Sequence, residues 1–115
     1  VTEALGKADT SSFKRVVFLE YPRRGLLTMG FVTKDNYRIR DKDGNTSEVV
    51  NVFLPTTPNP TSGWFIVARA SEAMKVDLTV EQGIKLIVSG GILTPPEPLI
   101  VEDIKTLEDG GKTAV

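Results

Sequence analysis

The sequence predicts an α+β domain, in which a small, mostly antiparallel and partly barrel-like sheet is covered by one main helix. Four short apolar segments are separated by proline, glycine and aspartate turn signals, a pattern that favours hairpin-connected strands. One later stretch, Thr79–Ser89, has helical periodicity and a cap at its start. Because the strands are apolar on both faces and one helix covers only one face, we expect partial barrel closure with some interface left over.

The first two strands are predicted on either side of a tight turn. Arg15–Tyr21 carries apolar side chains on both faces, which is typical of a central strand. Pro22–Gly25 is predicted to be a turn, because proline presets φ and glycine permits a positive φ. Leu26–Thr33 is the second predicted strand. Tyr37–Arg40 alternates apolar and basic residues, which predicts a separate, half-exposed edge strand.

Asp41–Asn45 gives the strongest turn signal in the chain. Its acidic residues superficially resemble a calcium-binding loop. With Asp41 at the first position of such a loop, however, Thr46 occupies the position that requires glycine, and Val52 replaces the closing glutamate. The segment is therefore predicted to be a hairpin turn and not a calcium site.

The next two strands are predicted on either side of a proline-rich loop. Glu48–Leu54 is the third strand, and Trp64–Arg69 is the fourth, with its tryptophan in the core. Between them, Pro55–Gly63 contains three prolines, which remove backbone donors and restrict φ. A rigid, irregular loop is expected there, and a cis peptide bond before Pro58 or Pro60 is compatible with it.

Thr79–Ser89 is predicted to be the main helix. Thr79 and Gln82 form a capping box at its start. Gly83 lies beside the apolar stripe, where glycine costs up to about 1 kcal/mol relative to alanine, so we expect its backbone to approach the sheet closely. The stripe consists of Val80, Ile84, Ile87 and Val88.

Other segments flank the predicted β-rich core. Residues 1–13 are predicted to be a flanking segment at the end of a truncated helix, and residues 14–93 to form the soluble β-rich domain. Residues 94–115 are predicted to be a Pro-rich linker and C-terminal segment. We expect Ile92–Leu93 to add a short strand and Leu99–Leu107 to form a short helix.

The composition excludes several classes of chemistry. The 115 residues include no cysteine and no histidine, which removes thiolate nucleophiles, zinc–thiolate sites and Ser-His-Asp machinery. A formal net charge of -1 gives no bulk attraction to nucleic acid. We therefore expect a protein that is not an enzyme and has no cofactor, no metal, no catalytic residue and no nucleic-acid partner.

Several motifs occur together in an order that resembles one known family. The run FKRVVFLEYPRRGLLTMGFVT contains EYPRRG at Glu20–Gly25, and the loop PTTPNPTSG follows at Pro55–Gly63. The capped helix then ends in SGG at Ser89–Gly91. From about Phe13 to Leu93, the sequence resembles the continuous-vascular-ring-like membrane proteins, also known as the domain of unknown function 502 family.

The resemblance implies a membrane-anchored protein. Members of this family carry two transmembrane helices before this region, so we expect the full-length protein to contact the membrane through helices that this chain lacks, while the chain itself is soluble. Plant members are linked to vascular patterning and membrane trafficking, which implies a role related to trafficking or to the envelope. The family offers no catalytic residues to transfer.

Two groups of polar residues are candidate binding residues. Arg23 and Arg24 are suited to face anionic lipid headgroups, each basic residue contributing about 1 kcal/mol near such a surface. The alternative is a solvated turn whose arginines serve solubility. The loop Pro55–Gly63 offers hydroxyls and an amide on a stiff frame, which lowers the entropy lost on binding, unless it is only a structural crossover. Its candidate residues are Thr56, Thr57, Asn59, Thr61 and Ser62.

The sequence thus predicts a membrane-anchored, non-catalytic interaction domain. It would bind a protein partner, or a second copy of itself, through an exposed strand edge or the loop Pro55–Gly63. The alternative is a module that binds a lipid or small ligand in an apolar cavity between sheet and helix. The predicted lining of that cavity is Phe31, Trp64, Ile84 and Val88.

Overall fold

The computed structural model describes residues 9–93 and 97–102. Its strands are β1 Arg15–Glu20, β2 Leu27–Arg40, β3 Thr46–Pro55, β4 Gly63–Arg69 and β5 Met74–Lys75, and its helix is α1 Val80–Val88. The strands form one antiparallel sheet in the order β4-β3-β2-β1-β5, with α1 packed on one face. This architecture confirms the predicted α+β class for the described residues.

Strand β2 is a single long strand, so the prediction of separate strands at Leu26–Thr33 and Tyr37–Arg40 is wrong. The polar residues 34–36 resemble a break in the sequence pattern. In the structure they lie at two register shifts against β3, and Asn36 adopts a positive φ of 59°. Such bulges let a strand continue while they increase its bend and twist, so the polar run does not end the strand.

An ion pair ties the irregular part of β2 to the neighbouring strand. Arg15 Nη1 on β1 donates to Asp35 Oδ2 at 2.8 Å. This hydrogen bond lowers the pKa of Asp35 below its usual value, which favours the ionised carboxylate. Further along β2, the Tyr37 hydroxyl donates to Asn51 Oδ1 on β3. These two contacts hold the bulged segment between its neighbours.

The sheet curls but does not close into a barrel. Strands β4 and β5 lie at opposite edges with three strands between them, yet only residues 70–73 connect them. In a flat sheet these edges would be about 19 Å apart, at roughly 4.8 Å per strand. The five peptide steps from Arg69 to Met74 span at most about 18 Å, before any displacement along the strands is counted. The sheet must therefore bend around one of its faces.

The concave face encloses the first hydrophobic core. Its buried side chains are Val17, Leu19, Val32, Val50, Val52, Leu54 and Ala68. Ala70 and Ala73, in the connection between β4 and β5, pack against this core. At Gly30 on β2, a Cβ atom would be 2.5 Å from Val52 Cγ1 and 2.8 Å from Leu54 Cδ2. The absence of a side chain at Gly30 therefore lets side chains of β3 fold over β2.

Helix α1 covers the opposite face, where the second hydrophobic core lies. Its buried side chains are Phe13, Val16, Phe31, Leu78 and Ile87. The Phe31 ring is fully buried and stacks on the Phe13 ring, with centroids 4.5 Å apart. A Cβ atom at Gly83 would be 3.0 Å from both Phe31 and Val16. The predicted close approach of the helix backbone to the sheet is therefore confirmed.

The predicted capping box is also confirmed. Thr79 Oγ1 accepts a hydrogen bond from the Gln82 backbone N–H at 3.1 Å, and Gln82 Oε1 accepts one from the Thr79 backbone N–H at 2.9 Å. Within the apolar stripe, Val80 and Ile84 are partly buried and Ile87 is buried, but Val88 is half exposed. Three of the four stripe residues therefore contribute to the second core.

Two predictions for the segment after the helix are wrong where the structure describes it. Ile92–Leu93 forms no strand, and both side chains are exposed. Residues 99–102 are not helical, because Val101 pairs with Val76 in an isolated antiparallel bridge. Short apolar runs fit a strand or a helix equally well, so pattern alone does not separate them. Residues 103–107 of the predicted helix, and the predicted helical end in residues 1–8, lie outside the described residues.

Candidate functional site

The two edges of the sheet differ in how they are covered. Beside β5, Lys75 O accepts a hydrogen bond from the Glu102 backbone N–H at 2.8 Å, and Val76 bridges Val101. Residues 100–102 thus cap that edge. Strand β4, at the other edge, pairs only with β3 among the described residues. Among the described residues, β4 is therefore open along its whole length, and the last part of β2, residues 34–40, likewise pairs only with β3.

The hydrogen-bond register decides which backbone groups of β4 face the open side. The Thr56 N–H donates to Ser62 O at 2.8 Å, so these residues form a hydrogen-bonded pair where the β3–β4 ladder begins. Bonded and non-bonded pairs alternate along an antiparallel ladder. The β4 residues that bond to β3 are therefore Trp64, Ile66 and Ala68. Those whose N–H and C=O groups point to the open side are Gly63, Phe65, Val67 and Arg69.

Large apolar side chains accompany these free backbone groups. Trp64 is 48% exposed, Phe65 is 61% exposed and Val67 is 49% exposed. The prediction that Trp64 belongs to the core is therefore wrong. Apolar residues on both faces of a strand suggest burial, but a strand at the sheet edge lacks the neighbours that would complete it.

Within residues 9–93 and 97–102, strand β4 also lacks the features that commonly protect an edge from pairing with another chain. Such features include lysine or proline on the edge strand, a bulge, or a covering segment. The sequence of β4 is GWFIVAR, with Arg69 as its single charged residue, and its pairing with β3 is regular from Gly63 to the end. We call the exposed side chains of Trp64, Phe65 and Val67, together with the free backbone groups, the β4 edge surface.

The candidate residues of the loop between β3 and β4 mostly bond to one another. Asn59 Oδ1 accepts hydrogen bonds from the backbone N–H and the hydroxyl of Thr61, and Asn59 Nδ2 donates to Ser62 Oγ at 2.9 Å. Thr56 Oγ1 donates to Ser62 O. The peptide bond between Thr57 and Pro58 is cis, and Thr57 is exposed. These hydrogen bonds stiffen the loop, as predicted, and use many of the donors and acceptors that a ligand would need.

Arg23 and Arg24 are exposed in the turn between β1 and β2. Arg23 Nη1 donates to Arg24 O at 2.9 Å, and Glu20 Oε2 accepts a hydrogen bond from the Gly25 backbone N–H. Because successive antiparallel connections alternate between the ends of a sheet, this turn and the Pro55–Gly63 loop lie at the same end. The topology thus gathers both groups of candidate residues at one end, next to the start of β4.

The predicted cavity lining is not brought together. Trp64 is opposite Leu54 on β3, whose side chain belongs to the concave core, whereas Phe31 lies on the helix face. Side chains on opposite faces of a sheet do not line one pocket between sheet and helix. A Cβ atom at Gly83 would already be 3.0 Å from Phe31, so little space remains between the helix backbone and that ring.

The acidic side chains of the described residues do not cluster into a metal site. Within residues 9–93 and 97–102, no three acidic side chains form a group that could hold a metal ion. The Asp41 carboxylate is used in its own turn, where Oδ1 accepts hydrogen bonds from the backbone N–H groups of Asp43 and Asn45. These bonds lower the pKa of Asp41 and confirm the predicted hairpin turn.

Fold and surface together define a small α+β domain whose most distinctive exposed feature is an apolar sheet edge that no other described segment pairs with. Residues 1–62 match the family model described as protein of unknown function, DUF502. Because this match covers more than half of the chain, the chain belongs to the DUF502 family. The resemblance to continuous-vascular-ring-like proteins is thereby confirmed.

Curated relatives are plant proteins of modest identity. The chain is 30% identical over 87 residues to Protein LIKE COV 2 of Arabidopsis thaliana. It is 29% identical over 91 residues to Protein CONTINUOUS VASCULAR RING 1 of the same plant. Each match covers 76% of this chain but only 32% and 31% of the respective relative, so the chain spans about a third of their length. No solved structure matches the chain.

The described residues contain no candidate membrane span. No helix within residues 9–93 and 97–102 combines the length and the apolar character needed to cross a bilayer.

Proposed function

We propose that this chain is the non-catalytic interaction domain of a membrane-anchored protein, and that it binds a protein partner by adding a strand to β4. The observation that carries the proposal is the open edge, where backbone groups of Phe65 and Val67 face outward beside half-exposed side chains. In strand addition, main-chain hydrogen bonds supply affinity and side chains at alternate positions supply specificity. The β4 edge surface has both elements.

Membership in the DUF502 family supports membrane attachment of the full-length protein. The resemblance to this family implies transmembrane helices before the region that this chain covers. The relatives extend well beyond the part that this chain matches, which leaves room for such segments. A role in trafficking or in the envelope stays a prediction. Contact between Arg23 or Arg24 and lipid headgroups also stays a prediction, compatible with their exposure at one end of the sheet.

A lipid- or ligand-binding role is supported less well than strand addition. It needs a cavity between sheet and helix, but the helix approaches the sheet to van der Waals contact at Gly83. Phe31 and Val16 beneath it are 0% and 1% exposed. Interiors packed this closely leave no volume for a ligand without rearrangement.

Site-specific photocross-linking in the full-length, membrane-embedded protein tests the proposed function. The photoreactive residue p-benzoylphenylalanine replaces Phe65 in one variant and Val88 in a control, two positions that are 61% and 52% exposed. We expect protein adducts from position 65 at several-fold higher yield than from position 88. The substitution Val67→Lys in the same strand should reduce the adducts at position 65. Equal yields from both positions, or no adduct from position 65, would contradict the proposal.

A further inference from the structure

We propose that the strand added to β4 is β4 of a second copy of this chain, in one defined antiparallel register. This inference rests on the proposed function, because it identifies the partner of the same edge. The two copies would form a continuous ten-stranded sheet around a two-fold axis that passes beside Ile66. In this register Phe65 lies opposite Val67 of the partner subunit, and Gly63 lies opposite Arg69 of the partner subunit.

The free backbone groups select this register. All four outward-facing residues of β4 meet an outward-facing residue of the second copy, which gives four opposed pairs and about six to eight hydrogen bonds, because Arg69 O also caps the 3₁₀ turn Ala70–Glu72. Centring the axis on Phe65 or on Val67 leaves one outward-facing residue of each copy without a strand partner. A slip of one residue places outward-facing groups opposite groups that already bond to β3. The Ile66-centred register is thus the one that satisfies most of the open edge.

The side chains fit the same register. Phe65 and the partner's Val67 lie on one face as an aromatic and a β-branched residue directly opposite each other, a favourable cross-strand pair. Trp64 lies opposite the partner's Ala68, which leaves space for the indole ring. Arg69, the single charge of β4, lies opposite the partner's Gly63, so the two arginines stay apart at opposite ends of the joined strands.

The symmetry also makes corresponding faces of the two copies point the same way. In an antiparallel edge-to-edge pair the two-fold axis is perpendicular to the sheet, so corresponding faces of the two copies point the same way. Both α1 helices, and both Phe13 side chains that pack beneath them, therefore lie on one side of the joined sheet. The joined sheet can therefore present the same face of both copies to one surface.

The size of the contact predicts a weak dimer. Fully enclosed aromatic side chains bury about 150–250 Å² each, and Trp64 and Phe65 retain about half of their surface. With Val67 and the backbone, each copy contributes on the order of 300–400 Å², well below the roughly 800 Å² per partner of a standard stable interface. We therefore expect the chain to dimerise weakly in solution, with an affinity set by how well the side chains pack and not by area alone. Confinement in a membrane raises the effective concentration and favours the pair.

Analytical ultracentrifugation of the 115-residue chain tests the dimer with a matched pair of variants. Val67 and Val88 are 49% and 52% exposed, so Val67→Lys and Val88→Lys make the same change at similarly exposed sites on and off the edge. We expect Val67→Lys to weaken dimerisation at least tenfold and Val88→Lys to change it less than twofold. Circular dichroism should show the same folded spectrum for both. A wild-type chain that stays monomeric at 1 mM overturns the proposal, as does equal weakening by the two variants.

Cysteine cross-linking tests the register, since the chain has no native cysteine. The variants Phe65→Cys and Val67→Cys are prepared separately and oxidised alone or mixed. In the proposed register, position 65 lies directly opposite position 67 of the second copy, with Cα atoms about 5.5 Å apart, within the range of a disulfide. Two copies of position 65, or two copies of position 67, are diagonal neighbours at roughly 7–8 Å. We expect disulfide-linked dimers in the mixture and almost none in either variant alone. Equal cross-linking of one variant alone overturns the Ile66-centred register.

The two proposals fail in different ways. If the chain is monomeric in solution and in membranes but photoadducts at position 65 contain another protein, strand addition at β4 stands and the self-pairing is wrong. If position 65 yields no protein adduct at all, both proposals are wrong.

Discussion

Replacing Phe31 with alanine is expected to lower the free energy of unfolding by about 3–5 kcal/mol. The Phe31 side chain is fully buried beneath α1, stacks on Phe13, and lies within 3.0 Å of the position that a Cβ atom at Gly83 would occupy. Its removal leaves a cavity where helix, strand β2 and the Phe13 segment meet. Urea denaturation followed by circular dichroism measures the effect as a lower midpoint at unchanged slope.

The matched control is the same substitution at the edge. Phe65 is 61% exposed, so Phe65→Ala should change the free energy of unfolding by less than about 1 kcal/mol in the monomer. Similar losses from Phe31→Ala and Phe65→Ala would contradict the assignment of Phe31 to the core and of Phe65 to the open edge.

The substitution Gly30→Ala is expected to destabilise the protein by about 2–3 kcal/mol, although it adds one methyl group. The new Cβ atom would lie 2.5 Å from Val52 Cγ1 and 3.1 Å from Phe53 O. Val52 is fully buried and branched at Cβ, so it has little freedom to move aside. The crowding must be relieved by displacing β3 side chains or opening the curl of the sheet, and thermal unfolding should show a lower midpoint.

Gly83→Ala provides the comparison, because it adds the same methyl group at a less crowded site. A Cβ atom there would have its nearest contacts at 3.0 Å, and alanine gains up to about 1 kcal/mol of helix propensity over glycine. We expect a net loss of about 0–1 kcal/mol, clearly smaller than for Gly30→Ala. A larger loss for Gly83→Ala would show that the helix contact, and not the concave core, is the tighter of the two.

Local sequence signals predicted the elements that depend on neighbouring residues. The capping box of Thr79 and Gln82 marked the start of α1, and Asp41–Asn45 marked the turn between β2 and β3. The glycine at position 83, inside helix α1, correctly predicted close packing of the helix against the sheet. In each case the physical cause lies within a few residues of the signal, so one sequence is sufficient to find it.

The features that the sequence did not predict depend on contacts between distant segments. The bulged middle of β2 continues as a strand that keeps pairing with β3, and its Asp35 bonds to Arg15 on β1, contacts that no local pattern reveals. The position of β4 at the edge follows from strand order, because the chain crosses from β4 to the far side of β1 and does not continue beside β4. The exposure of Trp64 is a consequence of that order.

The candidate site was predicted in part. An exposed strand edge is predicted as an interaction surface, and Tyr37–Arg40 indeed pairs with β3 alone, but the sequence does not identify β4 as an edge strand. The sequence GWFIVAR does indicate an unprotected apolar strand, because it carries one charge and directly follows a rigid loop. The register of β4 against β3 is needed to identify the free edge, because it shows which amides of β4 face outward.

Amide hydrogen exchange, measured by NMR on the dilute, monomeric chain, tests most directly whether β4 is an open edge. We predict that the amides of Phe65 and Val67 exchange rapidly while those of Trp64, Ile66 and Ala68, bonded to β3, are protected. The same two amides should gain protection as the concentration is raised into the dimer range. Uniform protection of all five amides in the monomer would contradict the open edge and the strand addition inferred from it.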